Sequence, residues 1–131
     1  MVETYNAVKK RPARTPGNQA IKTHGGYSGS HCVNENFVCH IPKNIPLEKA
    51  GPLMCAGITM YDPLRHWGFL DGGKTVGIIG IGGLGTMGIK IANALGHKVV
   101  AISTTAAKEQ MAKEKGASAF VASTDPESIK A

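Results

Sequence analysis

Residues 74–88, KTVGIIGIGGLGTMG, determine the fold that this sequence predicts. The run opens with an apolar, β-branched segment at 75–79, which is typical of a buried strand. A Gly-x-Gly-x-x-Gly turn follows at Gly80, Gly82 and Gly85, and an amphipathic helix comes after it. A strand, a glycine turn and a helix in this order form the fingerprint of a dinucleotide-binding fold.

Each glycine of the turn has its own physical role. The first permits the tight turn, the second lets the backbone approach a pyrophosphate, and the third lets helix and sheet pack closely. The pyrophosphate would bind the exposed N–H groups at the helix N-terminus, where the helix dipole favours negative charge. The sequence therefore predicts cofactor contacts along the whole turn, at Gly80, Ile81, Gly82, Gly83, Leu84 and Gly85.

The pattern after the turn continues to alternate between helix and strand. The helix should stop at Gly96, and strands are predicted at 98–102 and 118–121. A second helix at about 106–115 separates these strands and ends at Gly116. The resulting β-α-β-α-β order is the first half of a doubly wound parallel sheet, so the fold class is α/β. Because such a sheet normally has further strands, we expect an incomplete domain.

Two details of this half-domain are also predicted. Apolar residues recur at helical spacing after the turn and should face the core: Leu84, Met87, Ile91 and Leu95. The segment 124–127, Thr-Asp-Pro-Glu, is typical of a helix start with a capping box.

The chain before the fingerprint is less regular. Residues 1–25 are punctuated by proline and glycine and predict irregular structure, whereas 27–41 predicts strands around a turn at 34–36. Cys32 and Cys39 match no metal spacing and are interpreted as small buried residues of those strands. A helical stretch at 47–61 should be interrupted at Gly51-Pro52, and Pro63 should kink or end its continuation.

Cys55 and Thr59 would share one face of that helical stretch, since they are four residues apart. Taken on the residues alone, the favoured interpretation is that Cys55 is a core residue. Thr59 would then bond the backbone carbonyl one turn back.

The choice of cofactor depends on the end of the second predicted strand. A carboxylate that bonds the ribose 2′-hydroxyl is expected about 20 residues after the fingerprint, but Ser103 stands there, followed by Thr104 and Thr105. Hydroxyls together with the Lys108 ammonium would instead accept a 2′-phosphate, which favours NADP over NAD. The alternative is that these hydroxyls only cap the second helix, and both roles can coexist.

Composition limits the classes of partner. The chain has 131 residues, 42% of them hydrophobic and 18% charged, and three cysteines. No apolar run approaches the ~20 residues of a membrane span, and the N-terminus has no signal-peptide core. An odd number of cysteines suits a reducing compartment. We therefore expect a cytoplasmic protein with no membrane partner.

The net charge of +6 is not distributed like a nucleic-acid surface. Lys9, Lys10, Arg11 and Arg14 lie in one proline-containing stretch without aromatic residues between them. A solvated loop explains this stretch better than a nucleic-acid arm, so no nucleic-acid partner is expected.

Several segments carry a family resemblance: GGYS at 25–28 with its continuation to Ile41-Pro42, PLMCAGIT at 52–59, YDPL at 61–64, GIGGLG at 80–85 and IST at 102–104. Together they resemble the zinc-dependent medium-chain alcohol dehydrogenases, and most closely the cinnamyl alcohol dehydrogenase branch. The similarity runs from about residue 20 onward, in the family's order.

The resemblance implies a partial Rossmann sheet preceded by the C-terminal part of a GroES-like, β-rich catalytic domain. Residues 1–45 would end that catalytic domain, 46–70 would form a helical connection, and 71–131 would be the first half of the NADP-binding domain. The full-length enzyme would be a homodimer.

The resemblance also implies chemistry, namely reversible hydride transfer between NADPH and a small aldehyde substrate. Cys55 would be the third protein ligand of a catalytic zinc, and Thr59 would lie beside the nicotinamide. The 2′-phosphate would be held where Ser103, Thr104, Thr105 and Lys108 stand.

The sequence departs from the family pattern in its metal ligands. It contains no Gly-His-Glu segment and no cluster of four closely spaced cysteines. A catalytic zinc needs about three protein ligands, so Cys55 alone could not hold it. We therefore expect an internal fragment of such an enzyme. The alternatives are a truncated nucleotide-binding protein without catalysis, and a zinc-free reductase of the wider family, against which the CAGIT run argues.

Overall fold

The computed structural model describes residues 8–9, 21–22 and 24–130. The chain divides into two compact units, Met1–Pro42 and Lys43–Ala131. Within the described ranges, no helix combines the length and the apolar character needed to cross a bilayer.

The described part of the first unit includes a short antiparallel pair of strands. Strand β1 (Val8–Lys9) pairs with β2 (Ile21–Lys22), with Val8 opposite Lys22. The rest of the predicted irregular region at 1–25 lies mostly outside the described residues, and so do Lys10, Arg11 and Arg14 of the basic stretch.

The strands predicted at 27–41 are wrong. This segment contains turns and one short 3-10 helix, Glu35–Phe37, which Asn34 caps by accepting a hydrogen bond from the Asn36 N–H at 3.0 Å. The turn predicted at 34–36 is therefore confirmed. Every residue from 26 to 40 is exposed, so Cys32 and Cys39 are not buried as predicted. The apolar side chains of this segment are exposed, so no packing against a neighbour holds it as a strand.

The second unit opens with a continuous helical path. Helix α1 (Leu47–Pro52) passes into a π-helical turn (Leu53–Gly57) and then into α2 (Ile58–His66). The interruption predicted at Gly51-Pro52 appears as this π turn, because proline removes one N–H from the helical ladder. Pro63 lies inside α2 without ending it, and the helix stops at His66.

A three-stranded parallel sheet forms the centre of this unit. Strands β3 (Thr75–Ile79), β4 (Lys98–Ser103) and β5 (Ala119–Ala122) lie in that order, with Ile79 opposite Ile102 and Ser103 opposite Ala122. The predicted strands are thus confirmed to within one residue.

Two helices connect these strands as the sequence predicts. Helix α3 (Gly83–Ala94) follows β3, and a 3-10 turn (Ala106–Lys108) leads into α4 (Glu109–Glu114) after β4. The glycine stops are confirmed, since Gly96 and Gly116 have φ of 82° and 109°. Both angles lie in the left-handed region that glycine adopts without a Cβ penalty.

The last helix, α5 (Pro126–Lys130), is capped differently from the prediction. The Asp125 carboxylate accepts a hydrogen bond from the Glu127 N–H at 3.1 Å, so Asp125 is the capping residue. The Thr124 hydroxyl instead donates to the carbonyl of Thr104 at 2.9 Å.

The core lies between the sheet and its helices. Its fully buried members include Ile89 and Ala92 of α3 and Val99 of β4. The buried face of α3 is shifted from the predicted one, because Gly85 and Gly88 face the sheet and Leu84 is 49% exposed. Ile91 and Leu95 only border the core.

His97 joins the amino-terminal ends of β3 and β4 from a buried position, with 4% of its surface exposed. The Lys74 N–H donates to His97 Nδ1 at 3.3 Å, so Nε2 carries the proton and donates to the carbonyl of Phe69 at 2.7 Å. In this tautomer the ring bonds one donor and one acceptor of the connection between α2 and β3.

The His97→Ala variant should lose about 2 kcal/mol of unfolding free energy, because the part-buried hydrogen bonds with the Lys74 N–H and the Phe69 carbonyl would both be lost. Urea denaturation of the variant and of the unsubstituted chain measures the difference. His66→Ala is the matched control, since His66 is exposed and should change stability by less than about 0.5 kcal/mol. Equal stabilities of the two variants would contradict the role assigned to His97.

Candidate functional site

The glycine turn leaves β3 in a conformation that requires its first glycine. Gly80 has a φ of 85°, and its N–H donates to the carbonyl of Ile102 on β4 at 2.9 Å. The Gly82 N–H then donates back to the Gly80 carbonyl at 3.2 Å, which closes the turn tightly. A residue with a Cβ would be strained at position 80.

Gly85 allows the helix to pack on this turn. A Cβ built there would collide with the Gly80 carbonyl oxygen and would lie 3.0 Å from the Gly80 carbonyl carbon. A Cβ at Gly82 or Gly83 would meet nothing within 4 Å. The turn is therefore closed on its inner side and open along its outer side.

The start of α3 offers free backbone donors on that open side. The first bond of the helical ladder runs from the Thr86 N–H to the Gly82 carbonyl at 2.9 Å. The N–H groups of Gly83, Leu84 and Gly85 precede this ladder, and no side chain caps the helix. These donors and the helix dipole suit an anion such as a pyrophosphate.

A cleft of about 380 Å³ lies beside the turn, at the carboxyl ends of β3 and β4. Its lining residues come from both strand ends and from the connections that follow them: Ile79, Gly80, Ile81, Gly82, Ile102, Ser103, Thr104, Lys108 and Ser123. Lys108 is the one charged residue in this lining, and none of the lining residues is acidic.

The backbone carbonyls of Ser103 and Thr104 accept hydrogen bonds from the two residues that follow β5. The carbonyl of Ser103 accepts from the Ser123 N–H at 2.8 Å, and the carbonyl of Thr104 accepts from the Thr124 hydroxyl at 2.9 Å. Ser103 is 6% exposed. Thr105 precedes the 3-10 turn without a side-chain capping bond and does not line the cleft.

Lys108 reaches across the cleft to the glycine turn. Its Nζ donates to the carbonyl of Ile81 at 3.0 Å, which joins two segments 27 residues apart in the sequence. The predicted residues Gly80, Ile81, Gly82, Ser103, Thr104 and Lys108 therefore meet at one cleft.

Ser123 lines the same cleft, and the sequence interpretation missed it. The signal was available, because this serine directly follows the third strand at the edge where parallel strands present their ligands. The sequence pattern at this point predicts only the helix start at 124–127, which begins with the next residue, Thr124.

Cys55 and Thr59 lie apart from this cleft, in the π turn and in α2. Both are exposed, so the interpretation of Cys55 as a core residue is wrong. Among the described residues, no group of three or more His, Cys, Asp and Glu side chains is placed to hold a metal ion. The thiol of Cys55 is accessible.

The parallel sheet, the glycine turn and the cleft define a Rossmann-type dinucleotide-binding unit. Residues 65–125 match the family model of the NAD-binding domain of D-isomer specific 2-hydroxyacid dehydrogenases. The matched segment contains β3, the glycine turn, α3 and the other two strands of the parallel sheet.

Two curated relatives are named as alcohol dehydrogenases. The chain is 46% identical over 129 residues to the NADP-dependent alcohol dehydrogenase C 1 of Mycolicibacterium smegmatis, covering 98% of this chain and 34% of that protein. It is 40% identical over the same length to a probable cinnamyl alcohol dehydrogenase of Arabidopsis thaliana, with equal coverage.

Two solved structures are also similar to this chain. A cinnamyl alcohol dehydrogenase of Sorghum bicolor superposes with a TM-score of 0.70 at 39% identity, over 75% of this chain and 28% of that one. A structure from Helicobacter pylori, complexed with NADP(H), superposes with a TM-score of 0.62 at 43% identity, over 69% of this chain and 26% of that one. The chain thus spans about a third of the length of the curated relatives it matches.

Proposed function

We propose that this chain is a segment of an NADP-dependent alcohol dehydrogenase, which transfers a hydride between NADPH and an aldehyde. The observation that carries the proposal is the cleft, where Ser103, Thr104 and Lys108 stand and no carboxylate is present. A carboxylate there would repel a 2′-phosphate, whereas an ammonium and two hydroxyls attract and bond it. The names of the relatives agree with this cofactor.

The proposal assigns the two charged parts of NADP to different residues. The pyrophosphate would lie on the free N–H groups of Gly83, Leu84 and Gly85. The 2′-phosphate would lie between Ser103, Thr104 and Lys108, with Thr105 at the start of the following 3-10 turn. When bound, the nicotinamide ring supplies or accepts the hydride. The protein's contribution is to bind and orient the cofactor, with Thr59 proposed to lie beside the nicotinamide.

The proposal also includes a catalytic zinc. The described residues do not fit a zinc site by themselves, since a catalytic zinc takes about three protein ligands and no such group is present among them. We propose Cys55 as one ligand in a full-length enzyme, on the resemblance and on the exposure of its thiol.

The names of the relatives support the proposed substrate class, whereas the proposed assembly rests on the family resemblance alone. A small aldehyde or primary alcohol of the cinnamyl type is the proposed substrate, and a homodimer is the proposed state of the full-length enzyme. The second candidate function is nucleotide binding without catalysis, which the lack of a metal-ligand group among the described residues favours for this segment alone. Binding of NADPH by this chain without turnover of any aldehyde would support that second candidate.

The Ser103→Asp variant should reverse the cofactor preference. A carboxylate at this position would repel the 2′-phosphate and could bond a free 2′-hydroxyl, so the ratio of NADPH to NADH affinity should fall about 100-fold. Titration calorimetry with each nucleotide measures this ratio. Ser118→Asp is the matched control, because Ser118 is an exposed serine at the opposite, amino-terminal end of β5. An unchanged ratio in Ser103→Asp would refute the phosphate assignment.

A further inference from the structure

We propose that Lys108 is a positioning residue for the glycine turn as well as a ligand of the 2′-phosphate. This inference rests on the proposed function, because the turn matters only if it binds a dinucleotide. The observation behind it is the 3.0 Å hydrogen bond from Lys108 Nζ to the carbonyl of Ile81. The lysine thus has a protein partner of its own at the cleft.

The peptide group that Lys108 holds is the one between Ile81 and Gly82. Its carbonyl accepts from the ammonium, and its N–H donates to the Gly80 carbonyl at 3.2 Å. The Ile81 side chain is buried, with 2% of its surface exposed. This peptide plane is therefore fixed at its oxygen, at its nitrogen and through the preceding side chain.

Such fixation matters because the turn is built from glycines. Gly80, Gly82 and Gly83 have no Cβ, so their backbone loses more conformational entropy on ordering than any other residue type. The free N–H groups that would bind a pyrophosphate begin at Gly83, directly after the peptide that Lys108 holds. An ordered turn lowers the entropy cost of binding for every dinucleotide, whether or not it carries a 2′-phosphate.

One ammonium can perform both tasks at once. Lysine has three N–H donors and the Ile81 carbonyl uses one of them, which leaves two for a phosphate in the cleft. The two roles make different predictions. A lysine that only binds the phosphate affects NADPH alone, whereas a lysine that also orders the turn affects NADPH and NADH together.

The first test measures the turn without nucleotide, by hydrogen–deuterium exchange of peptides that cover residues 79–86. In Lys108→Met, which keeps an unbranched apolar chain, exchange should become about tenfold faster, since the ordered turn loses its charged hydrogen bond. Lys108→Arg keeps a donor and should match the unsubstituted chain. Lys113→Met is the matched control, because Lys113 is an exposed lysine on the following helix and makes a surface ion pair with Glu109.

Unchanged exchange in Lys108→Met would overturn the inference, and so would equal acceleration in Lys113→Met or Lys108→Arg. The second test titrates the same variants with NADPH and with NADH. Lys108→Met should weaken NADH binding about fivefold and NADPH binding more, because the lost phosphate contact adds to the loss of order. A loss confined to NADPH would overturn the positioning role. If the unsubstituted chain binds neither nucleotide, the proposed function fails, while the exchange measurement still decides whether Lys108 orders the turn.

Discussion

Replacing Gly85 by alanine should destabilise the second unit by about 3 kcal/mol, since an added methyl group in a packed position strains side chains and backbone alike. The new Cβ would collide with the carbonyl oxygen of Gly80 and approach its carbonyl carbon to 3.0 Å. Both atoms belong to backbone that is itself fixed by the bond from the Gly80 N–H to Ile102. The clash can therefore be relieved only if α3 moves away from the sheet, which would open the core around Ile89.

Gly83→Ala provides the matched control for this prediction. A Cβ at Gly83 meets nothing within 4 Å, and the residue is the first of α3, where alanine is a better helix former than glycine. Chemical denaturation of the two variants should therefore give a large loss for Gly85→Ala and no loss for Gly83→Ala. Equal stability of the two variants would show that helix and turn do not pack as closely as the structure indicates.

The half-domain from 75 to 130 could be predicted from the sequence because its signals are local. Each strand is a short apolar run, and each of the first two helices ends at a glycine with positive φ, Gly96 or Gly116. The spacing of the glycine turn is a further local signal, because it marks the junction between a strand and a helix. Local signals of this kind depend little on the rest of the protein. The apolar runs and the glycines are therefore enough to locate the strands and the helix ends.

The errors arise where the outcome depends on packing. The apolar residues of α3 predict a face through Leu84, yet the helix turns two glycines, Gly85 and Gly88, toward the sheet. Glycine has no side chain and adds nothing to an apolar pattern. The sequence therefore gives no sign that the glycine face of α3, rather than the face with Leu84, is the buried one. The alternating pattern at 27–41 fails for a related reason, since a strand needs a partner and a covered face that the sequence does not reveal.

The candidate site shows the same division. Ser103 and Lys108 could be proposed from the missing carboxylate and from their position after the second strand. The bond from Lys108 to Ile81 could not, because it joins residues 27 positions apart and depends on how the two connections approach each other. The exposure of Cys55 was also not predictable, since cysteine is among the residue types most often buried.

Cys55→Ser should abolish turnover of a full-length enzyme that contains this segment, with a fall of at least about 1000-fold, while NADPH affinity stays unchanged. The reason is that a serine hydroxyl is a poor zinc ligand compared with a thiolate, and a three-ligand catalytic site that loses one ligand no longer holds its metal. NADPH binding should survive because Cys55 lies outside the cleft formed by the glycine turn and β4. Zinc content, turnover and nucleotide titration together separate the two effects.

Cys32→Ser and Cys39→Ser are the matched controls, because both cysteines are exposed and free like Cys55, but lie in the turn-rich part of the first unit. They should retain both zinc and turnover, so a loss seen only in Cys55→Ser cannot come from removing an exposed thiol in general. Retained turnover in Cys55→Ser would remove zinc at this position from the proposed chemistry. The proposed dinucleotide site would be unaffected by that result, because Cys55 contributes to neither the glycine turn, nor its free N–H groups, nor the Lys108 ammonium.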